Sequence, residues 1–474
     1  MRQKNRTERK GDGKMYYREI SGVRVSALGM GNMRLPKIEN QGEKIGREKA
    51  REIIDYAMEH GITYYDTAYR YHGGESERFI GEALKKYPRD SFLLASKFPG
   101  HMMEKKENGV MKFTSMLAGH PDSTVDAVFH EQLEKCQVDY FDFYLLHNVC
   151  ENSLVFYNDP EIRIVEYLLK QKELGKIRHL GFSSHAVSAA TIDEFLTRYE
   201  GVFEFVQIQL NYLDWILQDA KSKVEVIAKH GLKIVVMEGI RGGRLASLPE
   251  AQAARLRAVR EEDSAVRWAL RWLQGIPEVA VILSGMSSMD QIIENVETFR
   301  EPNPVSETER VLLAEVAESM LSWVPCTACR YCTEGCPMGL EIPKIIAAYN
   351  GVKKGDHMAW YNPAEKGEAM DPVRCIGCGN CTSICPQQIA VPGIMDEFAA
   401  MMKERGSRSH KQEPAQRMTG AQGDNREDYY GKMDSRTFSA GAPAGKRRKA
   451  GDRGEGTHRP FTEGGPGGHG AAEE

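Results

Sequence analysis

Two short runs decide how the C-terminal part of this chain folds: CTACRYCTEGCP at 326–337 and CIGCGNCTSICP at 375–386. Both have the spacing C-x2-C-x2-C-x3-C-P. The match continues beyond the cysteines, since LEIP at 340–343 corresponds to IAVP at 389–392. The region is therefore an internal repeat of one small structural unit.

The cysteine spacing is typical of metal ligands. Three thiolates in a tight loop can each bind a different iron of one cubane, while the cysteine before proline usually ligates the other cluster. We therefore predict two [4Fe–4S] clusters. The predicted ligands are Cys326, Cys329, Cys332 and Cys385 for the first, and Cys375, Cys378, Cys381 and Cys336 for the second. Zinc is the alternative, but a structural zinc site needs only four thiolates.

The repeat resembles the bacterial two-cluster ferredoxins. The 38 residues between Cys336 and Cys375 make it more similar to the helical two-cluster modules fused to larger redox enzymes. The resemblance implies a small, mainly helical electron-transfer domain, which we place at 301–405.

The composition of the 474 residues fits a globular protein with one large and one small domain. A formal charge of −4 gives no reason to expect nucleic acid or an anionic membrane as partner. Residues 1–14 are basic and flexible, and no apolar segment follows them as in a secretory signal. No apolar stretch is long enough to cross a bilayer. We therefore expect a cytoplasmic protein.

Residues 406–474 are rich in glycine and charged side chains and almost lack aliphatic ones. Such a segment buries too little apolar surface to offset the entropy of ordering. It is predicted to be a disordered tail.

Residues 15–300 alternate between buried β-branched runs and stretches with helical periodicity. The predicted strands are 27–30, 63–66, 92–97, 141–147, 179–183, 205–209, 233–237 and 280–284. Repeated strand–helix alternation predicts parallel strands, most economically a (β/α)8 TIM barrel of the α/β class. An open doubly wound sheet is the alternative, but no G-x-G-x-x-G follows the first strand.

Four chemically useful side chains follow successive predicted strands. Asp66 and Tyr71 follow the second strand, Lys97 the third and His147 the fourth. Barrel enzymes build active sites at the carboxyl ends of their strands. Lys97 would lower the pKa of Tyr71, Asp66 would hold Lys97, and His147 would hydrogen-bond a carbonyl oxygen. One such residue alone is often structural, so the prediction depends on all four occurring together.

The barrel region resembles the aldo-keto reductases. The resemblance is carried by VSALGMG at 25–31, DTAYRY at 66–71, LLH at 145–147, GFSS at 181–184 and IEN at 293–295. It implies that Tyr71 is the general acid/base, supported by Asp66, Lys97 and His147. It also implies an extended nicotinamide cofactor, NADP(H) or NAD(H), bound without a Rossmann fold. The matching positions are Gly31, Asn32, Met33, Ser183, Ser184, Gln207, Met237, Gly239, Arg241, Gly242, Gly285, Ser287, Gln291, Glu294 and Asn295.

Two positions depart from the family pattern. Ser183-Ser184 stands where Ser-Asn is usual, and Met237-Glu238 stands where an aromatic residue usually stacks on the nicotinamide. The resemblance implies that Arg241–Arg244 lies near the pyrophosphate, but it leaves NADPH and NADH both open.

The sequence therefore predicts an NAD(P)H-linked oxidoreductase of small carbonyl or alcohol compounds, fused to a two-cluster module that serves a one-electron partner protein. Nicotinamides carry two electrons together, whereas clusters carry one at a time, so a flavin is a further candidate. The alternatives are a non-catalytic redox-responsive module and an electron-transfer subunit of a larger complex.

Overall fold

The computed structural model describes residues 15–39, 41–105, 111–113, 124–321, 323–353 and 366–409. The predicted N-terminal segment 1–14 lies outside the described residues, as does the predicted tail from residue 410 onwards.

The described residues form twelve strands and sixteen α-helices. The strands are β1 (Tyr17–Ile20), β2 (Val23–Ser26), β3 (Leu28–Gly31), β4 (Tyr64–Asp66), β5 (Leu93–Phe98), β6 (Met103–Lys105), β7 (Met111–Phe113), β8 (Phe141–Leu146), β9 (Ile177–Ser184), β10 (Phe205–Gln209), β11 (Lys233–Met237) and β12 (Val279–Ser284). The helices are α1 (Arg47–Glu59), α2 (Glu75–Leu84), α3 (Val125–Cys136), α4 (Leu154–Tyr157), α5 (Ile164–Glu173), α6 (Ala189–Arg198), α7 (Asp214–Leu217), α8 (Ala220–Lys229), α9 (Glu250–Arg257), α10 (Ala265–Gln274), α11 (Met289–Thr298), α12 (Glu307–Glu318), α13 (Tyr331–Glu334), α14 (Ile342–Lys353), α15 (Asn380–Ser383) and α16 (Val391–Ser409). Within this part of the chain, every helix is too short or too polar to cross a bilayer.

Eight parallel strands close into a barrel in the order β3, β4, β5, β8, β9, β10, β11 and β12. Each strand pairs with the next along the chain, and β12 pairs with β3. The predicted (β/α)8 fold is therefore confirmed, and the open doubly wound alternative is wrong. The strand bounds agree closely with the prediction because each strand is a compact run of buried side chains.

An antiparallel hairpin, β1 with β2, covers the amino-terminal end of the barrel. Its side chains Ile20 and Val25 are fully buried among the residues that fill the barrel, including Tyr64 and Phe143. Arg18 fixes the hairpin by donating to the Ile276 carbonyl at 3.2 Å, just before β12. Since this end is closed, the carboxyl ends of the strands form the accessible face.

The C-terminal region is helical, as predicted, and repeats itself in structure. Helices α13 and α15 each carry the third cysteine of a run, and α14 and α16 follow the two runs. The rings of Tyr349 on α14 and Phe398 on α16 meet at a centroid distance of 5.7 Å, which places the two halves of the repeat together around one core. Helix α16 continues to Ser409, beyond the predicted start of the tail at 406.

Helix α12 joins the two parts of the structure. A capping box starts it, because Ser306 accepts from the Glu309 amide and Glu309 accepts from the Ser306 amide. Its buried residues Leu313 and Val316 belong to the core that surrounds the barrel. This packing fixes where the chain leaves the barrel for the cysteine runs.

Candidate active site and cluster sites

Lys97 and Asp66 form a buried ion pair at the carboxyl ends of β5 and β4. Lys97 Nζ lies 2.5 Å from Asp66 Oδ1, and it donates to the Thr67 carbonyl at 2.7 Å. The two side chains are 1% and 3% exposed. Burial lowers the pKa of Lys97 and raises the pKa of Asp66, and the pairing offsets part of both shifts.

Tyr71 lies above this pair. Its residue is 9% exposed, and Lys97 Nζ is 5.1 Å from the centroid of its ring. Burial raises the pKa of Tyr71 well above the usual value, and Asp66, Tyr331 and Glu238 raise it further. The pKa of Tyr71 is raised and not lowered as expected, because burial, the largest cause, disfavours the phenolate. The phenol stays protonated at neutral pH.

His147 meets Tyr71 edge to face, with ring centroids 6.1 Å apart. Burial lowers the pKa of His147 well below the usual value, and the neighbouring His101, Lys97 and His185 lower it further. The imidazole is therefore neutral at physiological pH. A neutral ring can still donate one hydrogen bond.

Two further histidines surround His147, and the sequence analysis missed both. The His101 ring lies 4.6 Å from the His147 ring, and its Nδ1 is 3.1 Å from the His147 carbonyl oxygen. Burial lowers the pKa of His101 to about 4 and that of His185 to about 4. Since His101 and His185 follow strands β5 and β9, the strand-end rule that found His147 could have found them.

A cavity of about 290 Å³ opens beside Tyr71 at the mouth of the barrel. Eleven of the predicted cofactor residues line it: Gly31, Met33, Gln207, Met237, Gly239, Gly242, Gly285, Ser287, Gln291, Glu294 and Asn295. The structure therefore brings most of the predicted set to one cavity.

The other four predicted cofactor residues are not among those that line this cavity. Asn32 donates to the Asp66 carbonyl at 2.9 Å. Ser183 Oγ accepts from the Asn148 amide at 2.9 Å, and Ser184 Oγ donates to the Val149 carbonyl at 2.7 Å. These bonds orient the strand ends. Arg241 is turned towards the C-terminal region, as described below.

The lining suits a dinucleotide. Gln207 Oε1 and Asn295 Oδ1 are buried and have no hydrogen-bond partner among the described residues, so each can accept from a bound molecule. At Gly285 a Cβ atom would lie 2.6 Å from the side chain of Arg34. Glycine at this position therefore allows the side chain of Arg34 to pack against the backbone at the edge of the cavity.

The eight cysteines of the repeat surround two smaller cavities. Cys326, Cys329, Cys332 and Cys385 line one, and Cys336, Cys375, Cys378 and Cys381 line the other. These are the two crosswise sets that the spacing predicts. No three His, Cys, Asp or Glu side chains of the described residues are placed to hold a single metal ion.

The donors and the surroundings of both cavities fit iron–sulfur clusters. Apolar residues, among them Ile342 and Val391, complete the walls. Burial, with smaller contributions from Glu238 and from the thiols of Cys385 and Cys326, raises the pKa of Cys329 to about 12. Only a positively charged centre would offset the cost of four neighbouring thiolates in so apolar a place.

The first cluster cavity and the barrel cavity share a wall. Thr327, Cys329, Pro386 and Gln387 line both. Tyr331, two residues after Cys329, lines the barrel cavity as well. The C-terminal repeat therefore completes the site that the barrel begins, a feature that the sequence analysis did not predict.

Three arginines of the barrel hold the segment that leads into the first cysteine run. Arg34 donates to the Thr327 carbonyl at 2.9 Å, Arg241 to the Pro325 carbonyl at 3.2 Å, and Arg244 to the Val324 carbonyl. The resemblance placed Arg241 and Arg244 near a pyrophosphate. The structure instead directs both guanidinium groups at the backbone of the C-terminal repeat.

The segment that follows the second cysteine run also contacts the barrel, through Gln387. Its amide group exchanges hydrogen bonds with Gln209 of β10 at 2.6 and 3.0 Å, and Gln218 donates to it at 2.7 Å. Arg241 donates to Gln387 Oε1 at 3.3 Å and is paired with Asp214, and neither charged side chain is exposed. Gln387, two residues after Cys385, is thus part of a buried polar network of the barrel.

Comparison with known proteins agrees with this architecture. A model of the aldo/keto reductase family matches residues 27–312. The chain belongs to the aldo/keto reductase family. A model of the 4Fe-4S dicluster domain matches residues 325–390 of this aldo/keto reductase, which confirms the fusion expected from its sequence.

Several known proteins are similar to this aldo/keto reductase. The NADH-specific methylglyoxal reductase of Escherichia coli (strain K12) is 26% identical over 329 residues, covering 63% of this chain and 96% of that protein. The uncharacterized oxidoreductase YqkF of Bacillus subtilis (strain 168) is 25% identical over 299 residues, covering 58% and 88%. The thermostable aldo-keto reductase Tm1743, solved with the inhibitor epalrestat, is 22% identical with a TM-score of 0.50, covering 64% and 100%; it supports the fold alone.

We predict that Gly242→Ala loosens the contact between the barrel and the cysteine runs. Gly242 has φ 61°, and an added Cβ would lie 2.0 Å from the Thr327 carbonyl oxygen, so a methyl group cannot be accommodated without moving that backbone. Hydrogen–deuterium exchange of residues 324–329 should become faster. Gly243→Ala is the matched control, since Gly243 also has a positive φ, 94°, but open space around its Cβ position. Equal exchange rates in the two variants would contradict the prediction.

Proposed function

We propose that this aldo/keto reductase uses NAD(P)H to reduce a small carbonyl compound to the alcohol, and catalyses the reverse oxidation, with Tyr71 as the general acid/base. The observation that carries the proposal is the position of Tyr71, which lines the cavity beside the Lys97–Asp66 pair and the ring of His147. A protonated phenol is the form that can give a proton to a carbonyl oxygen.

The bound nicotinamide would supply the hydride to the carbonyl carbon. Tyr71 would donate its proton to the carbonyl oxygen as negative charge develops there. His147 would donate a hydrogen bond to the same oxygen and orient the carbonyl group. Lys97, 5.1 Å from the Tyr71 ring, would stabilise the phenolate left behind, and Asp66 would keep Lys97 charged.

The cofactor would lie with its nicotinamide near Gln207 and Met237 and its adenosine end near Gln291 and Asn295. The unpartnered oxygens Gln207 Oε1 and Asn295 Oδ1 support this orientation, since amide and amino groups of the cofactor could donate to them. Whether NADPH or NADH is used stays open. A flavin is not part of the proposal, because no family description or relative suggests one.

The two cysteine quartets would hold two [4Fe–4S] clusters that carry single electrons. A one-electron partner protein would meet the second cluster site, where Cys378 is exposed and the neighbouring Ile376 is 63% exposed. An exposed apolar side chain beside a cluster ligand is a suitable contact for a transient redox partner.

Tyr71→Phe tests the catalytic role. The variant removes the proton donor and keeps the ring, so kcat/KM for NAD(P)H-dependent carbonyl reduction should fall by about 10²- to 10⁴-fold under anaerobic conditions. The visible absorbance of the clusters should remain, which controls for folding. Unchanged activity would contradict the role of Tyr71 and favour a non-catalytic, cofactor-binding barrel.

The pH dependence gives an independent test. The raised pKa of Tyr71 keeps its proton on the phenol well into the alkaline range, and the lowered pKa of His147 keeps that ring neutral down to acid pH. We therefore predict that kcat/KM for reduction is flat between about pH 6 and 9, measured in one constant-ionic-strength buffer. A break close to pH 6.5 would mean that His147 titrates near its usual value.

A further inference from the structure

We infer that Tyr331, which belongs to the first cysteine run, is a substrate-contact residue of the reductase site. The inference rests on the proposed function, since it assigns the wall of the site that faces Tyr71. It places the substrate between a tyrosine of the barrel and a tyrosine of the iron–sulfur domain.

Tyr331 lies at the wall of the barrel cavity. Tyr331 lines the same cavity as Tyr71, although 260 residues separate them in the sequence. The phenol groups of two tyrosines therefore border one cavity.

The two tyrosines are held in place by the same ion pair. Arg70, directly before Tyr71, pairs with Glu334, which ends the short helix that Tyr331 begins. On the other side of Tyr331, Arg330 makes two hydrogen bonds to Glu341 at 2.9 and 3.0 Å. The Arg70–Glu334 pair thus connects the segment of Tyr71 to the helix of Tyr331, and the Arg330–Glu341 contact holds that helix within the C-terminal region.

The chemistry of the pair indicates which compounds fit. Each protonated phenol can donate one hydrogen bond. Tyr71 is committed to the reacting carbonyl oxygen, so Tyr331 would donate to a second oxygen of the substrate. We therefore expect a preference for carbonyl compounds that carry a second oxygen, such as hydroxyketones, over simple ketones.

Because the two cavities share a wall, a molecule bound in the barrel cavity should also affect the first cluster site. Cys329 borders both cavities, so a molecule bound against Tyr331 would lie beside a ligand of the first cluster. Asn380 occupies the position of Tyr331 in the second cysteine run and lines only the second cluster cavity among those described. Occupation of the barrel cavity should therefore disturb one cluster and leave the other unchanged.

The test uses the anaerobically purified holoprotein, with hydroxyacetone and acetone as probes and Tyr331→Phe as the variant. Loss of one hydrogen bond should raise KM for hydroxyacetone about three- to tenfold, with kcat nearly unchanged and the values for acetone unaltered. Hydroxyacetone, added with NADP⁺ to protein that has been reduced with dithionite and then desalted anaerobically, should change the electron paramagnetic resonance signal of one cluster in the wild type. Tyr331→Ala should abolish that change.

Tyr349→Phe is the matched control, because it removes a phenol hydroxyl from the same C-terminal region at a residue that lines none of the three cavities. It should retain both the KM values and the response of the cluster signal. Two results together would overturn the inference. The ratio of the two KM values would be unchanged in Tyr331→Phe, and the cluster signals would not change when hydroxyacetone is added. The resonance measurement needs binding but no hydride transfer. A failure of the proposed reaction, seen as full activity in Tyr71→Phe, would therefore be distinguishable from a failure of this inference.

Discussion

The buried ion pair between Arg241 and Asp214 is the interaction on which the arrangement of this protein depends. Neither side chain is exposed, and Asp214 also accepts from Gln209 at 2.7 Å and from Asn211 at 2.6 Å. Removing one partner of such a pair leaves an uncompensated buried charge, at a cost of about 3–5 kcal/mol. Because Arg241 also donates to Pro325 and Gln387, the pair connects the barrel to both cysteine runs.

This connection determines what lies against the carboxyl ends of the barrel strands. In a barrel that acts alone, the face at the carboxyl ends of the strands would meet solvent or substrate. Here Thr327, Cys329 and Tyr331 complete the cavity in which Tyr71 lies. The cavity that contains Tyr71 and the cavity of the first cysteine quartet therefore share a wall.

Much of the fold was predictable because its signals are local. Most residues of each barrel strand are buried, and the cysteine spacing predicts both the clusters and the crosswise sets that line the two cavities. Asp66, Lys97 and His147 could be predicted as neighbours, since carboxyl ends of parallel strands meet. The direction of the Tyr71 pKa was wrong because it depends on burial, which a residue pattern does not measure.

The contacts between the two parts of the chain could not be predicted. Gln387 and Gln209 lie 178 residues apart, and a lone glutamine carries no spacing signal. Arg241 was assigned to a pyrophosphate through the resemblance to the aldo-keto reductases, and its pairing with Asp214 became evident only in the folded chain. The hairpin β1–β2 was missed as well, since its strands are short and half-exposed.

The central claim is that the first iron–sulfur cluster lies against the reductase cavity. The most direct measurement is an anomalous-scattering map at the iron edge from crystals grown anaerobically. Our account predicts two compact groups of iron atoms, one bound by Cys326, Cys329, Cys332 and Cys385 at the wall of the cavity that contains Tyr71. Iron bound only at the other quartet, or a first group separated from that cavity, would contradict it.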